Sequence, residues 1–475
     1  MVVGLRKGVV ALVAAMLVAG TLAAGAEAGG RGKAGSQARG KAGAIRFTKP
    51  VGLGSSAPLR TVIGTVYSAQ RGEDPSDHEW SGEPSLKVSD DGTIFIAGTC
   101  CVVASSPVWR STNNGKSFRE LESPGHAREW GIGAEGDLAV DNKGRVFFID
   151  TYIAGLLMSA WKDSGKTWEY TVQPAGPIPG FDDRPWITIS DKALYLYVNH
   201  VTHTEVYRST DGGKTWSTGG PLSYKGNATG QPFFPGHLAA HRKSDTLWVA
   251  GVVNDGGRKL ASLVSTDGGT TFREAEISKP QRKEFSPIFT GATAVDSANN
   301  GYATWSTTDS DGCDVYYAAS TNEGKSWNKP VRVNDVGGCA TFPWIAARDE
   351  GDVALAWYET PKVKKTASTT VASVLRSGFS LYGLDVALAY QDEVPEKQPW
   401  NLHVALIRNA HTKNPVIVEQ RVPHKTPVLL GPLERELWDF LQLDIDKQGQ
   451  VHIAYVEKFK DSAPQTWYVG TKTKL

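Results

Sequence analysis

The chain lacks most of the features that assign a protein to a class at a glance. Methionine is scarce, with 3 in 475 residues, and there are only 4 cysteines. Net charge is +1, so no field of one sign argues for nucleic acid or an anionic membrane as partner. No P-loop, GxSxG or HExxH motif occurs, and CxxC is absent, so the usual zinc and thioredoxin motifs are absent too. Beyond Ala24 no apolar stretch is long enough to span a bilayer.

What is present points to a folded, exported protein. Apolar residues make up 40% and charged residues 21%, an ordinary globular balance, and 51 glycines suit a fold with many tight turns. Arg6 and Lys7 precede an apolar run from Val9 to Ala24, followed by the small-residue sites Ala24-Gly25-Ala26 and Ala26-Glu27-Ala28. Residues 1–28 therefore read as a secretory signal peptide, with an uncleaved anchor as the alternative. Residues 29–44 form a basic Gly/Ala-rich linker with almost nothing to bury, and 45–475 is expected to be one domain. The expected location is extracellular or associated with the cell envelope, with no membrane span after signal removal. Cys100, Cys101, Cys313 and Cys339 fit an oxidising compartment. Of the three possible pairings, Cys313 with Cys339 and Cys100 with Cys101 is favoured.

An internal repeat is the strongest signal. Ser111-Thr112-Asn113-Asn114-Gly115-Lys116-Ser117-Phe118 recurs from Ser209 to Trp216, Ser265 to Phe272 and Ser320 to Trp327, with a degenerate copy from Trp161 to Trp168. The copies start at 111, 161, 209, 265 and 320, steps of 50, 48, 56 and 55 residues. Each position has a physical reason. The Asp or Asn side chain accepts backbone N–H groups and closes the turn, Gly supplies positive φ, and the aromatic ring packs between sheets. A second repeat is a hairpin of two apolar strands about a polar turn: Leu86–Ala97, Leu138–Ile149, Ile187–Val198, Leu238–Ala250, Ala292–Trp305, Ile345–Tyr358 and Leu441–Val456. Near-continuous apolar runs suit inner strands buried on both faces. One unit of roughly 40–50 residues per blade predicts an all-β propeller. Seven blades are expected, six being the alternative, and Ile45–Val51 would supply the last strand of the ring.

In a propeller the starts of first strands and the ends of second strands share one face. That placement predicts a polar funnel. Asp182, Asp183, Arg184 and Trp186, with Glu83, Asp137, His237 and Arg435, are the candidate ligand-binding or catalytic groups at strand starts. Asp150, Tyr358 and Glu359 are candidates at strand ends. Clustered carboxylates raise one another's pKa, which suits general acid work. An arginine clamps a carboxylate bidentately, and a tryptophan stacks on a sugar face. Each of these groups could equally cap its own turn. Asp309-Ser310-Asp311-Gly312-Cys313-Asp314 resembles a small calcium loop, with Asp309, Asp311 and Asp314 as oxygen ligands, but it lacks the distal Glu of an EF-hand, and a polar turn stapled by Cys313 is the favoured reading.

The octapeptides, the hairpins and Asp183-Arg184-Pro185-Trp186 resemble the sialidase (BNR, or Asp-box, repeat) superfamily over nearly all of 45–475, and most resemble its secreted prokaryotic exo-α-sialidase-like members. The resemblance implies glycoside hydrolysis on an extracellular glycan or glycoconjugate. It also implies three arginines on the substrate carboxylate, an Asp acid/base, and a Tyr nucleophile paired with Glu. Asp183 and Asp150 are the Asp candidates, Tyr358 with Glu359 the Tyr–Glu candidates, and Arg184 and Arg435 two of the arginines. The family's Phe/Tyr-Arg-Ile-Pro motif ahead of the first octapeptide is missing. A non-catalytic glycan- or protein-binding propeller and an assembly scaffold are the alternative functions. The chain is expected to be a monomer.

Overall fold

The structure is a computed structural model that describes residues 44–53, 81–99, 106–121, 136–152, 155–176, 183–199, 204–222, 234–254, 258–278, 284–285, 292–309, 312–334, 338–361, 398–431, 437, 440–458 and 464–475. The expected signal peptide, the linker up to residue 43, and the Cys100–Cys101 pairing lie outside the described residues. Every regular element described is a β-strand. No helix is long and apolar enough to cross a membrane among the described residues.

The short strand β1 (Val51–Gly52) comes first. Three four-stranded antiparallel sheets follow in chain order. The first holds β2 (Gly82–Val88), β3 (Ile94–Thr99), β4 (Val108–Ser111) and β5 (Arg119–Glu120). The second holds β6 (Gly136–Val140), β7 (Val146–Tyr152), β8 (Gly155–Lys162) and β9 (Thr167–Val172). The third holds β10 (Asp183–Ile189), β11 (Leu194–Asn199), β12 (Thr204–Ser209) and β13 (Ser217–Pro221). A five-stranded sheet contains β14 (Phe234–Pro235), β15 (Ala239–Ala240), β16 (Leu247–Asn254), β17 (Arg258–Ser265) and β18 (Arg273–Ser278). Ten strands then form one sheet: β19 (Glu284–Phe285), β20 (Thr293–Val295), β21 (Gly301–Asp309), β22 (Gly312–Ser320), β23 (Val331–Arg332), β24 (Cys339–Ala347), β25 (Val353–Thr360), β26 (Pro399–Arg408), β27 (Val416–Arg421) and β28 (Leu429–Leu430). The last sheet joins β29 (Gln442–Ile445), β30 (Gln450–Glu457) and β31 (Gln465–Lys474) to β1.

Sheets adjacent in sequence pack face to face. Phe95 and Ala97 of the first meet Leu138, Phe148 and Trp161 of the second. Ala139, Phe147 and Met158 of the second meet Ile187, Leu194 and Leu196 of the third. The ring closes where Leu86, Ile94 and Trp109 of the first sheet meet Ala454 and Tyr468 of the last. Both ends of the described chain share that last sheet, with Val51 opposite Tyr468 and Phe47 bridged to Thr471. This is a β-propeller, and pairing of the termini removes an exposed edge.

The blade count departs from expectation. Five separate blades of four or five strands are detected, rather than seven or six. The reason lies in the ten-stranded sheet. A parallel bridge between Cys313 of β22 and Cys339 of β24 joins what the sequence presents as two repeats into one hydrogen-bonded sheet. The Cys313–Cys339 disulfide, expected from the sequence, staples that junction.

The octapeptides form hydrogen-bonded turns. Ser111 Oγ donates to Asn113 Oδ1 at 2.9 Å and accepts Gly115 N–H at 3.0 Å, while Asn113 Oδ1 also accepts Ser117 N–H at 3.1 Å. The same three bonds recur at Ser209/Asp211/Gly213/Thr215, Ser265/Asp267/Gly269/Thr271 and Ser320/Asn322/Gly324/Ser326. Gly115 has φ +71, and a Cβ there would fall 1.9 Å from the Tyr468 ring. Phe118 packs on Tyr468 of the neighbouring sheet with ring centroids 5.1 Å apart, as the repeat predicts. Trp168 of the degenerate copy departs from that rule and is 38% exposed. There Trp161 takes the place of the serine and is buried.

Replacing Cys313 and Cys339 by serine, or adding reductant, is expected to cost about 2–4 kcal/mol by releasing the 26-residue loop. Calorimetry with and without reductant measures this, and an unchanged melting temperature contradicts it.

Candidate functional site

Antiparallel pairing places the starts of the innermost strands beside the ends of their partners, as in Gly136 opposite Asp150 and Asp183 opposite Asn199. Just inside this rim lies Asp137, the second residue of β6. Its side chain is fully buried. Oδ1 accepts from Ser85 Oγ at 2.6 Å and Gln442 Nε2 at 3.1 Å. Oδ2 accepts from Ile187 N–H at 3.0 Å and lies 3.0 Å from His237 Nε2. Ser85 Oγ in turn accepts Leu138 N–H at 2.9 Å, and Gln442 Oε1 accepts Leu86 N–H at 3.1 Å. One carboxylate thus ties together four strands, β2, β6, β10 and β29, and the segment leading into β15.

The charge state of the pair follows from its surroundings. Burial pushes the Asp137 carboxyl up, but His237, Lys87 and the Ser85 hydroxyl outweigh it and hold the group below the usual range. Burial drives the His237 imidazole below its usual value, and this outweighs the opposing pull of Asp137. A neutral imidazole facing a carboxylate donates its N–H, so the proton sits on Nε2 and the lone pair on Nδ1.

Aromatic rings surround the imidazole. Trp186 and Trp344 lie with centroids 5.4 and 5.2 Å from it and 5.5 Å from each other. Phe440 packs on Trp186 at 4.9 Å and Trp344 at 5.7 Å. Trp186, His237, Trp344 and Phe440 are 5–6% exposed, so the expected open polar funnel is floored by ring edges at the axis.

The remaining expected residues divide. Glu83 and Asp150 are buried, and Arg184 is half-buried. Asp183 begins β10, but its side chain, like Asp182 and Arg435, lies outside the described residues. Tyr358 and Glu359 are not a working pair, because successive residues of a strand face opposite ways. The Tyr358 hydroxyl accepts Val456 N–H at 2.8 Å and donates to Val456 O at 3.4 Å, stitching β25 to β30, and burial raises its pKa. Glu359 points the other way. It accepts Trp357 Nε1–H at 2.7 Å, lies 3.8 Å from His403 Nδ1, and burial pushes its carboxyl up. For the calcium reading, the side chains of Asp309 and Asp311 are outside the described residues, and Asp314 accepts from Asn334 Nδ2 at 3.4 Å. Among the described residues no group of three or more His, Cys, Asp or Glu is placed to hold a metal ion.

Several site residues escape a sequence reading. Ser85, Gln442, Trp344 and Phe440 complete the axial cluster. A second cluster joins His424, Tyr455 and Glu457: His424 Nε2 is 2.8 Å from the Tyr455 hydroxyl and 3.4 Å from Glu457 Oε2. Burial pushes Glu457 up to about 8. The signal was present, since Trp357-Tyr358-Glu359 and Tyr455-Val456-Glu457 end corresponding strands with the same aromatic-x-Glu pattern.

No family model matches the chain, and no curated protein matches it in sequence. Solved structures share the fold. The polysaccharide lyase Uly1 superposes with a TM-score of 0.50 at 10% identity, covering 90% of this chain and 99% of that one. A protein of unknown function from Dyadobacter fermentans gives 0.47 at 13% identity, with 90% and 99% covered. The Hadza microbial sialidase Hz136 gives 0.40 at 15% identity, with 60% and 65% covered.

Asp137→Asn removes the charge and at least one of four accepted bonds, and is expected to lower stability by about 3 kcal/mol in urea unfolding. A change within error contradicts the role of Asp137 as the axial tie. Glu457 keeps its proton in the folded chain up to about 8, against 4.5 in the unfolded chain. Its stabilising contribution is therefore complete below about pH 4.5 and is lost as pH rises to about 8. Glu457→Gln is expected to flatten the fall in melting temperature between about pH 5 and about pH 8. Parallel curves for variant and parent overturn the assignment.

Proposed function

We propose that this chain is a secreted, glycan-acting β-propeller that cleaves glycosidic bonds by proton transfer at its axis, with His237 as the acid/base. The observation that carries this reading is the neutral imidazole, oriented through Nε2 by the ionised Asp137 and flanked by Trp186 and Trp344. An anchored imidazole with a free lone pair on Nδ1 is suited to take and return a proton near neutral pH. The two indoles suit the apolar face of a sugar ring, and Arg184 at the rim suits a sugar carboxylate. Uly1, which shares the fold, is a polysaccharide lyase, and this supports carbohydrate as the substrate class. The exo-α-sialidase activity implied by the octapeptide resemblance is the narrower form of the proposal. In that form Asp183, Asp150 and Glu359 are the carboxylates, and Asp182, Glu83 and Arg435 join Arg184 in binding substrate.

A second reading, a binding propeller without turnover, is favoured by one observation: the axial rings are only 5–6% exposed, which leaves edges to touch and little room to react.

A panel of sialyl and uronyl fluorogenic substrates separates the two. Turnover is expected, and His237→Asn should lower kcat at least a hundredfold, within the usual range for a general acid/base. Turnover unaffected by His237→Asn overturns the assignment. Saturable binding with no product across the panel selects the second reading.

A further inference from the structure

Three of the innermost strands begin with the same irregularity. The register slips between Gly82 and Ser85 in β2, between Asp183 and Trp186 in β10, and between Thr341 and Trp344 in β24. Each slip sets two residues against one. Glu83-Pro84 faces Gly98, Arg184-Pro185 faces Val198, and Phe342-Pro343 faces Trp357. These are β-bulges, which bend a strand and re-aim the side chains beside them.

The three share further features. Glu83, Arg184 and Phe342 have φ of 43°, 51° and 53°, a left-handed conformation that side chains other than glycine avoid. The other non-glycine residues with positive φ among the described residues, such as Asn114 and Asn409, sit in turns between strands. The second residue of each bulge is proline, which brings no N–H to the ladder and so blocks regular pairing there. The residue after the proline touches the axial pair every time. Ser85 Oγ donates to Asp137, while Trp186 and Trp344 flank His237 at 5.4 and 5.2 Å.

We propose that the three bulges are the positioning devices of the axial site, so that Pro84, Pro185 and Pro343 act through Ser85, Trp186 and Trp344 to hold Asp137 and His237 in place. The functional weight of this inference rests on the glycan-acting reading above, but the geometry does not. The prolines set the environment of His237 whether or not the chain turns over a substrate. They hold the rings and the carboxylate against the imidazole without themselves meeting a ligand.

The test is the titration of the His237 imidazole by NMR, assigned as the resonance lost in His237→Asn. In the parent it is expected below 6.5, where burial holds it. Pro185→Ala and Pro343→Ala should each loosen a flanking indole and let the imidazole hydrate, moving the midpoint up toward 6.5. Pro84→Ala should move it too, through Ser85 and Asp137. Pro415→Ala, on the way into the outer strand β27, should leave it unchanged. If one bulge variant fails to fold, the other two carry the test. Folded bulge variants whose His237 titrates as in the parent overturn the proposal, and so does an equal shift in Pro415→Ala. Because the readout needs no substrate, absence of turnover would defeat the proposed function without touching this result.

Discussion

A single buried carboxylate holds the centre of this molecule. Sheets arranged about an axis converge at their innermost strands, where the backbone is crowded and few side chains fit. Asp137 fills that space and accepts from Ser85, Gln442, Ile187 and His237. A buried charge is costly unless its lone pairs are taken up. Four donors from separate segments take them up, which makes the site a check on correct closure: a ring misassembled by one strand leaves Asp137 short of a partner. The same pairing turns the Nδ1 lone pair of His237 away from the carboxylate. The contact that closes the ring therefore also fixes the orientation of the His237 imidazole.

Elsewhere the sheets are joined by different means. The last sheet recruits β1 across the length of the chain, while the ten-stranded sheet is continuous through Cys313 and Cys339. The Tyr358 hydroxyl bridges β25 to β30 through both backbone groups of Val456. Its neighbour Glu359 faces His403 and Trp357 instead. Two adjacent residues that suggest one chemical unit in sequence thus belong to two seams.

Much of the architecture was legible in the residues. The octapeptides carry their own hydrogen-bond logic, because Ser111 bonds Asn113 and Gly115 within a few positions and needs no help from distant chain. The apolar hairpins were legible for the same reason. Trp168 shows the limit: its octapeptide is degenerate, and the ring the pattern would bury is exposed. The blade count was misjudged because a single parallel bridge at a disulfide fuses two repeats, and a repeat spacing carries no information about such a bridge.

Sequence by itself determined the all-β class and the local turns. Each of these follows from short-range chemistry or from the period of a repeat. Only the tertiary structure decided which rim residues touch. Asp137 and His237 are 100 positions apart, and Ser85 and Gln442 are 357 apart. Hydrogen bonds over such separations depend on how the sheets close around the axis, and closure is a property of the whole ring that no single segment encodes.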